Sequence, residues 1–414
     1  MDKLDGWCLM MIKFASVAVA CFALVSSAQP EDLALSGKMR WLTVASTKDK
    51  NQAIGIARVS GYMSEHVKVV SSKNGFYAVI LGPYAASSIQ ALKKADVDSK
   101  LSDLPRDALL SRGDNYIETV WEPSATSVGP IAYSIKKTAE FSSGNLSVSV
   151  TGQKLAGDKA YTIVDGKDGA GTFHFDIEKD LPQDELASAE EFMGLIYHQA
   201  AVAKLVPGAP SKQVVITSYT GGAHCCTKTW ILSRETDHSA WSKTEGAVLD
   251  GDGYWYEDVD GDGTLEMLNA DNSFLYAFDS YAGSVAPIKI SKFQNGKIED
   301  VSETPDMHSR LIQDLAGIEF QAKVRPDSWK ENGFLAGWVA AKIRLGQGID
   351  AWNTVAQNID KNSDFGPQEC TTGQKIDDCP DGKSKPIPIL KALASFLKEN
   401  GYTPLPDAAE ALLH

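Results

Sequence analysis

Apolar and polar positions recur along this chain with two different periods. Trp41-Leu42-Thr43-Val44-Ala45 alternates with a period of two, the pattern of a half-buried strand. Residues 50–63 carry Ala53, Ile54, Ala57 and Gly61 at helical spacing. Val67-Lys68-Val69-Val70 and Phe76-Tyr77-Ala78-Val79-Ile80-Leu81 then read as strands around a Lys73-Asn74-Gly75 turn. Residues 86–95 form a second helical stretch, and Tyr116 to Trp121 a closing strand. The order βαββαβ predicts a ferredoxin-like arrangement over residues 38–121. Its alternation turns Leu42, Val44, Val79 and Leu81 toward the helices. Trp41, Thr43, Ala78 and Ile80 fall on the opposite, open face.

Pro123, Ser124, Gly129 and Pro130 mark residues 122–133 as a linker. Residues 134–325 then read as a β-rich domain, a sandwich, barrel or propeller fragment. Leu146 to Val150, Ala160 to Val164, Phe173 to Ile177, Val214 to Tyr219 and Thr229 to Leu232 supply its strands, with one helix over 184–198. From residue 326 the period lengthens again. Phe334, Leu335, Trp338, Ala341 and Leu345 stripe one helix, and Ile349, Trp352 and Ala356 a second. Gly346-Gln347-Gly348 lets the two fold back on each other. Ile387, Leu390, Leu393, Ala394 and Leu397 form a last amphipathic helix that Gly401 stops. The fold class expected is therefore multidomain α+β with a helical C-terminal region, residues 326–414.

Charge and targeting narrow the setting. The 414 residues carry a formal net charge of −14, which excludes a phosphate-binding, nucleic-acid partner. Residues 1–28 read as a secretory signal: Lys13, a short apolar run, then Ser26-Ser27-Ala28. A start at Met11 would leave a more typical signal. The run is shorter than the roughly 20 residues of a membrane span, so a periplasmic protein with no span in the mature chain is expected. Cys225, Cys226, Cys370 and Cys379 remain after cleavage. The favoured bridge is Cys370–Cys379, with a long-range link to the vicinal pair as runner-up.

Two pieces of the first unit, Trp41-Leu42-Thr43-Val44-Ala45-Ser46 and the strand ending in Gly82-Pro83-Tyr84 before a helix, resemble the SPOR (sporulation-related repeat) family of bacterial envelope proteins. The resemblance implies binding of peptidoglycan glycan strands through the open sheet face that holds Trp41, Thr43, Ala78 and Ile80. An apolar open face also suits an envelope protein partner.

The densest chemistry lies in Asp258-Val259-Asp260-Gly261-Asp262-Gly263-Thr264-Leu265-Glu266. Alternating carboxylates in a tight, glycine-rich loop match the oxygen-rich coordination of Ca²⁺. Asp258, Asp260 and Asp262 would give side-chain oxygens, Thr264 its backbone carbonyl, and Glu266 would close the shell. Strand-like flanks and a Glu at the ninth position set the loop apart from an EF-hand. It resembles the calcium hairpin of FG-GAP and integrin propeller blades, which implies a structural ion.

Weaker signals attract simpler readings. His224, Cys225 and Cys226 follow a tight glycine turn, with no further ligand set to make a metal site. Tyr254, Trp255, Tyr256, Phe274, Tyr276 and Phe278 are weighted as core pairs over carbohydrate platforms. No Gly-x-Ser-x-Gly, His-Glu-x-x-His or Walker motif occurs. The sequence therefore favours a non-enzymatic envelope binding protein with a calcium staple. A cell-wall glycan or peptide hydrolase and a protein-interaction module are the alternatives.

Overall fold

In the first unit, strand β1 (Met39–Thr47) leads into helix α1 (Lys50–Ser60), then β2 (Val67–Ser72), β3 (Tyr77–Ala85), helix α2 (Ile89–Ala95), β4 (Leu109–Ser111) and β5 (Tyr116–Trp121). The computed structural model that shows this describes residues 33–414 apart from 65, 97–99, 124–130, 156, 158, 182–197, 220–224 and 364. The expected signal segment and nearly all of the expected helix at 184–198 lie outside the described residues. Asp49 caps α1 by accepting from the Gln52 amide, and Ser88 caps α2 by accepting from the Ala91 amide. The sheet runs β4-β1-β3-β2-β5, antiparallel at every pairing. Leu42, Val44, Val79 and Leu81 pack onto Ala53, Ile54 and Ala57 of α1. One edge differs from expectation. The strand beside β1 is the short β4, whereas β5 lies at the far edge beside β2. Three residues are too few for β4 to declare a period.

The opposite sheet face is closed. Trp41, Thr43, Ala78 and Ile80 are all buried. Leu33, Leu35 and Tyr116 pack over Trp41, Ala78 and Ile80, and Trp41 Nε1 donates to the Leu33 carbonyl at 2.8 Å. The Thr43 hydroxyl meets the Tyr116 hydroxyl at 2.7 Å. The chain itself covers the face that alternation alone leaves open.

Two further sheets lie face to face. One holds β7 (Ala139–Ser143), β8 (Leu146–Lys154), β9 (Ala160–Asp168) and β10 (Gly171–Ile177) as a meander. The other runs β14 (Ser242–Glu245), β13 (Cys225–Ser233), β12 (Gln213–Tyr219), β11 (His198–Ala203), β6 (Ile131–Ala132), with β15 (Leu249–Asp250) beside β13. Val148, Val150, Val164 and Phe173 of the first share a core with Val214, Ile216, Trp230 and Leu232 of the second. A separate open sheet comprises β16 (Trp255–Glu257), β17 (Glu266–Ala270), β18 (Ile288–Gln294) and β19 (Lys297–Asp300). Among the described residues no sheet closes into a barrel or propeller, so the propeller expectation is corrected to several open antiparallel sheets.

Helices α3 (His308–Val324), α4 (Asn332–Arg344), α5 (Gly348–Asn358), α6 (Ile389–Glu399) and α7 (Asp407–Glu410) follow, with a small hairpin of β20 (Gln368–Cys370) and β21 (Ser384–Pro386). Cys370 and Cys379 are joined, their Cα atoms 5.6 Å apart. Helix α4 is buried almost all round, and its glycines permit this. A Cβ on Gly333 would sit 2.3 Å from the Gly283 carbonyl oxygen, and one on Gly337 2.1 Å from that of Val285. Among the described residues no helix is long and apolar enough to cross a membrane.

Helix α3 has no counterpart in the sequence reading. Phe320 and Val324 enter the core of the first unit, Leu315 and Ile318 the helical core, and Leu311 a cluster with Leu268 and Ile290. A helix buried on several sides shows no single stripe. Its closest neighbour is α1: a Cβ on Gly55 would lie 2.0 Å from the Gln313 carbonyl oxygen.

Candidate cation site and the adjoining cleft

The acidic loop connects β16 to β17, so sheet pairing fixes both of its ends: Glu257 lies opposite Glu266. Within it, oxygens of Asp258, Asp260 and Asp262 all lie within 4.8 Å of one another. Backbone amides hold the carboxylates in place. Asp262 N donates to Asp260 Oδ1 at 3.1 Å, Gly263 N to Asp258 Oδ2 at 3.1 Å, and Thr264 N to Asp262 Oδ1 at 2.7 Å. Gly261 and Gly263 supply positive φ of 76° and 79°, which lets the backbone curl around its own side chains. The Thr264 hydroxyl also donates to Asp262, and these bonds hold the Asp262 carboxyl below its ordinary range.

Glu266, the expected closing ligand, stands outside that convergent trio and is linked to it through Lys292 and the charge of Asp260. It is 1% exposed, and Oε2 accepts from the Val259 amide at 2.8 Å. Burial pushes its pKa up, against the pull of that amide and of Lys292. Its Oε1 accepts no hydrogen bond among the described residues, although Lys292 Nζ stands 3.3 Å away. Lys292 is the functional residue that the sequence reading missed. Met267 pairs with Ser291 across the ladder, which brings Lys292 beside Glu266. Its ammonium lies 2.6 Å from Asp260 and 3.8 Å from Asp262. Contact with Asp260 raises its pKa further. Strand register carries this signal, and no motif search shows it.

The donor set fits a hard divalent cation. All ligand candidates are oxygens, three carboxylates converge, and a fourth is buried nearby. Lys292 and Lys204 together offset only part of the charge of four carboxylates. Thr264 is buried at the base of the loop, and its amide and hydroxyl are committed to Asp262.

Asp258 and Gly263 also line the rim of a cleft of about 850 Å³. Its walls are β11 and the following Lys204 on one side, β16 on another, and α1 with Trp121 at the end. Glu257, next to the first loop carboxylate, ties these parts together. It pairs with Arg58 of α1 and accepts from Arg310 Nε of α3 at 3.2 Å. Arg58 Nε in turn donates to Gln313 Oε1 at 2.9 Å, and its guanidinium lies 5.5 Å from the Trp121 ring centroid. Burial, with Arg310 adding to it, lowers the Arg58 pKa against the support of Glu257.

The other sequence candidates lie elsewhere. Cys225 and Cys226 adjoin across a cis peptide bond, and the Cys370–Cys379 bridge leaves no partner for the long-range alternative. His224 lies outside the described residues. Trp41, Thr43, Ala78 and Ile80 form a closed cluster in the first unit. Phe274 and Phe278 enter the helical core, whereas Trp255 stays 40% exposed at the cleft.

Residues 311–401 match the family described as the sll0997 C-terminal domain. The chain is 33% identical over 386 residues to the uncharacterized protein y4bJ of Sinorhizobium fredii, covering 93% of this chain and 59% of that protein. It is 36% identical over 195 residues to the probable thylakoid lumen protein sll0997 of Synechocystis, covering 47% of this chain and 57% of that protein. The chain thus spans less than two thirds of the length of the curated relatives it matches. No solved structure matches it. These findings overturn the SPOR and FG-GAP resemblances. The family match lies in the helical region, and neither relative is a SPOR protein.

Proposed function

We propose that this chain is an extracytoplasmic, non-enzymatic binding protein whose 258–266 loop holds Ca²⁺ as a structural staple. The observation that carries this reading is the convergence of three loop carboxylates, Asp258, Asp260 and Asp262, beside the buried carboxylate of Glu266. A cation relieves the repulsion among them. Asp258, Asp260, Asp262 and Glu266 would hold the ion through carboxylate oxygens. Bound there, it would supply the positive charge that Lys292 only partly provides. The thylakoid lumen name of one relative supports a place beyond an export membrane, the periplasm in a Gram-negative cell. Glycan binding through the first sheet has lost its carrier, because that face is closed.

Calorimetric titration of chelator-treated protein with CaCl₂ tests the reading. Saturable binding at one site, lost in Asp260→Ala, supports it. Absence of binding in the folded wild type, or equal binding by Asp260→Ala, overturns it. Ligand linkage gives about 2.7 kcal/mol of added stability at a hundredfold excess over Kd.

A further inference from the structure

The acidic loop already holds a positive charge of the chain's own. The Lys292 ammonium lies 2.6 Å from Asp260 Oδ2, 3.3 Å from Glu266 Oε1 and 3.8 Å from Asp262 Oδ2. It is the link between the convergent trio of Asp258, Asp260 and Asp262 and the fourth carboxylate, Glu266. Calcium takes its oxygen ligands at about 2.3–2.6 Å. For Glu266 to enter such a shell beside Asp260, its Oε1 must exchange the ammonium for the ion. The same carboxylates cannot close on both cations at once.

The geometry also shows which partner moves. Glu266 is 1% exposed and held at the start of β17 by its pairing with Glu257, whereas the Lys292 side chain is 29% exposed. Directly opposite Lys292 on β19 stands Glu299, and opposed residues of an antiparallel pair share a face. β19 is the edge strand of its sheet, and Glu299 is exposed. A released ammonium therefore finds a second carboxylate at the surface. Charge decides which cation can drive the exchange. A divalent ion replaces one positive charge by two among the four carboxylates, whereas Na⁺ replaces one by one. The covalent tether keeps the ammonium at high local concentration, which favours Lys292 over Na⁺.

We infer that Lys292 is a built-in competitor for the ion: without a divalent cation it bridges Asp260 and Glu266, and Ca²⁺ drives it out toward Glu299 as Glu266 joins the ligands. The inference rests on the calcium reading and adds its regulation, because one cation or the other always holds the loop. Acetylation of the full chain with an N-hydroxysuccinimide ester, mapped by mass spectrometry, reads the position of the ammonium. Lys292 is expected to react about threefold faster or more in CaCl₂ than in chelator or in NaCl of equal ionic strength. Lys330, whose side chain is 77% exposed, should keep one rate throughout. Calorimetry then compares the wild type with Lys292→Met, which should bind Ca²⁺ about tenfold or more tightly once the competitor is gone. If the wild type binds calcium, equal affinity in the variant or unchanged reactivity of Lys292 overturns the inference and leaves the calcium reading standing. Binding by Lys292→Met alone upholds the competition and overturns the calcium reading for the native chain. Binding by neither folded protein overturns both.

Discussion

Replacing Gly55 with alanine sets two effects of opposite sign against each other. Gly55 lies inside α1, where alanine is the better helix former by about 1 kcal/mol. Propensity alone therefore predicts a more stable protein. The structure predicts the reverse. The new Cβ would lie 2.0 Å from the Gln313 carbonyl oxygen and 2.6 Å from its carbon. Carbon–oxygen contacts normally settle at about 3.3 Å or more, so α1 and α3 must part by roughly 1.3 Å. Overpacking costs about 1–3 kcal/mol, and a backbone carbonyl cannot swing aside, so the upper end applies. The net expectation is a loss of about 2 kcal/mol after the propensity gain. Gly317→Ala makes a graded companion. Its Cβ would meet Val59 Cγ1 at 2.8 Å, a side-chain atom that can rotate away, so its loss should be smaller. Urea unfolding followed by circular dichroism reads both variants. A Gly55→Ala protein as stable as the wild type, or more so, would refute the close approach of α1 to α3.

The remaining predictions concern charge. Burial pushes His198 down to about 4 from an unfolded value near 6.5. Below pH 6.5 the unfolded chain takes up a proton that the folded chain refuses. Stability from this group is therefore full above that pH, and about 3 kcal/mol is lost as pH falls toward 4. Urea midpoints across this range should slope less in His198→Leu, and identical slopes would remove His198 from the account. Asp168 accepts from buried Arg234 at 2.7 Å, from Ser211 at 2.9 Å and from Trp241 at 3.2 Å. Asp168→Ala should cost about 3–5 kcal/mol by stranding the guanidinium, and Arg234→Met in the same chain should recover part of it. A thermal melt of the two variants checks this, and no recovery would count against the pair. Lys292→Ala should lower the melting temperature in chelator and enlarge the rise on adding CaCl₂. A smaller rise would mean that the ammonium does not compete with the ion.

Much of the β architecture was legible because period-two alternation reports one buried face, as in Leu146 to Val150 and Phe173 to Ile177. Surroundings undid the open-face reading of Trp41, Thr43, Ala78 and Ile80. Alternation shows that a side chain points away from the helices, not that Leu33 and Leu35 lie over it. Helix α3 was illegible for the opposite reason, since several partners blur its stripe. At the candidate site, Asp258, Asp260 and Asp262 were visible because neighbours in sequence are neighbours in a tight loop. Lys292 reaches Glu266 only through the pairing of β17 with β18, which no local pattern encodes.

The lodging of Phe320 and Val324 in the first unit also sets an order of events. More than half of the chain separates α1 from the helix that covers it, a contact of very high sequence separation. As residues emerge from a ribosome or an export channel, the first sheet must wait with one flank of α1 bare until residue 324 arrives. A fragment that ends at Trp121 would keep that flank exposed permanently. Such a fragment is expected to associate or to need a holding chaperone, whereas the same residues supplied with α3 in trans should form a soluble pair.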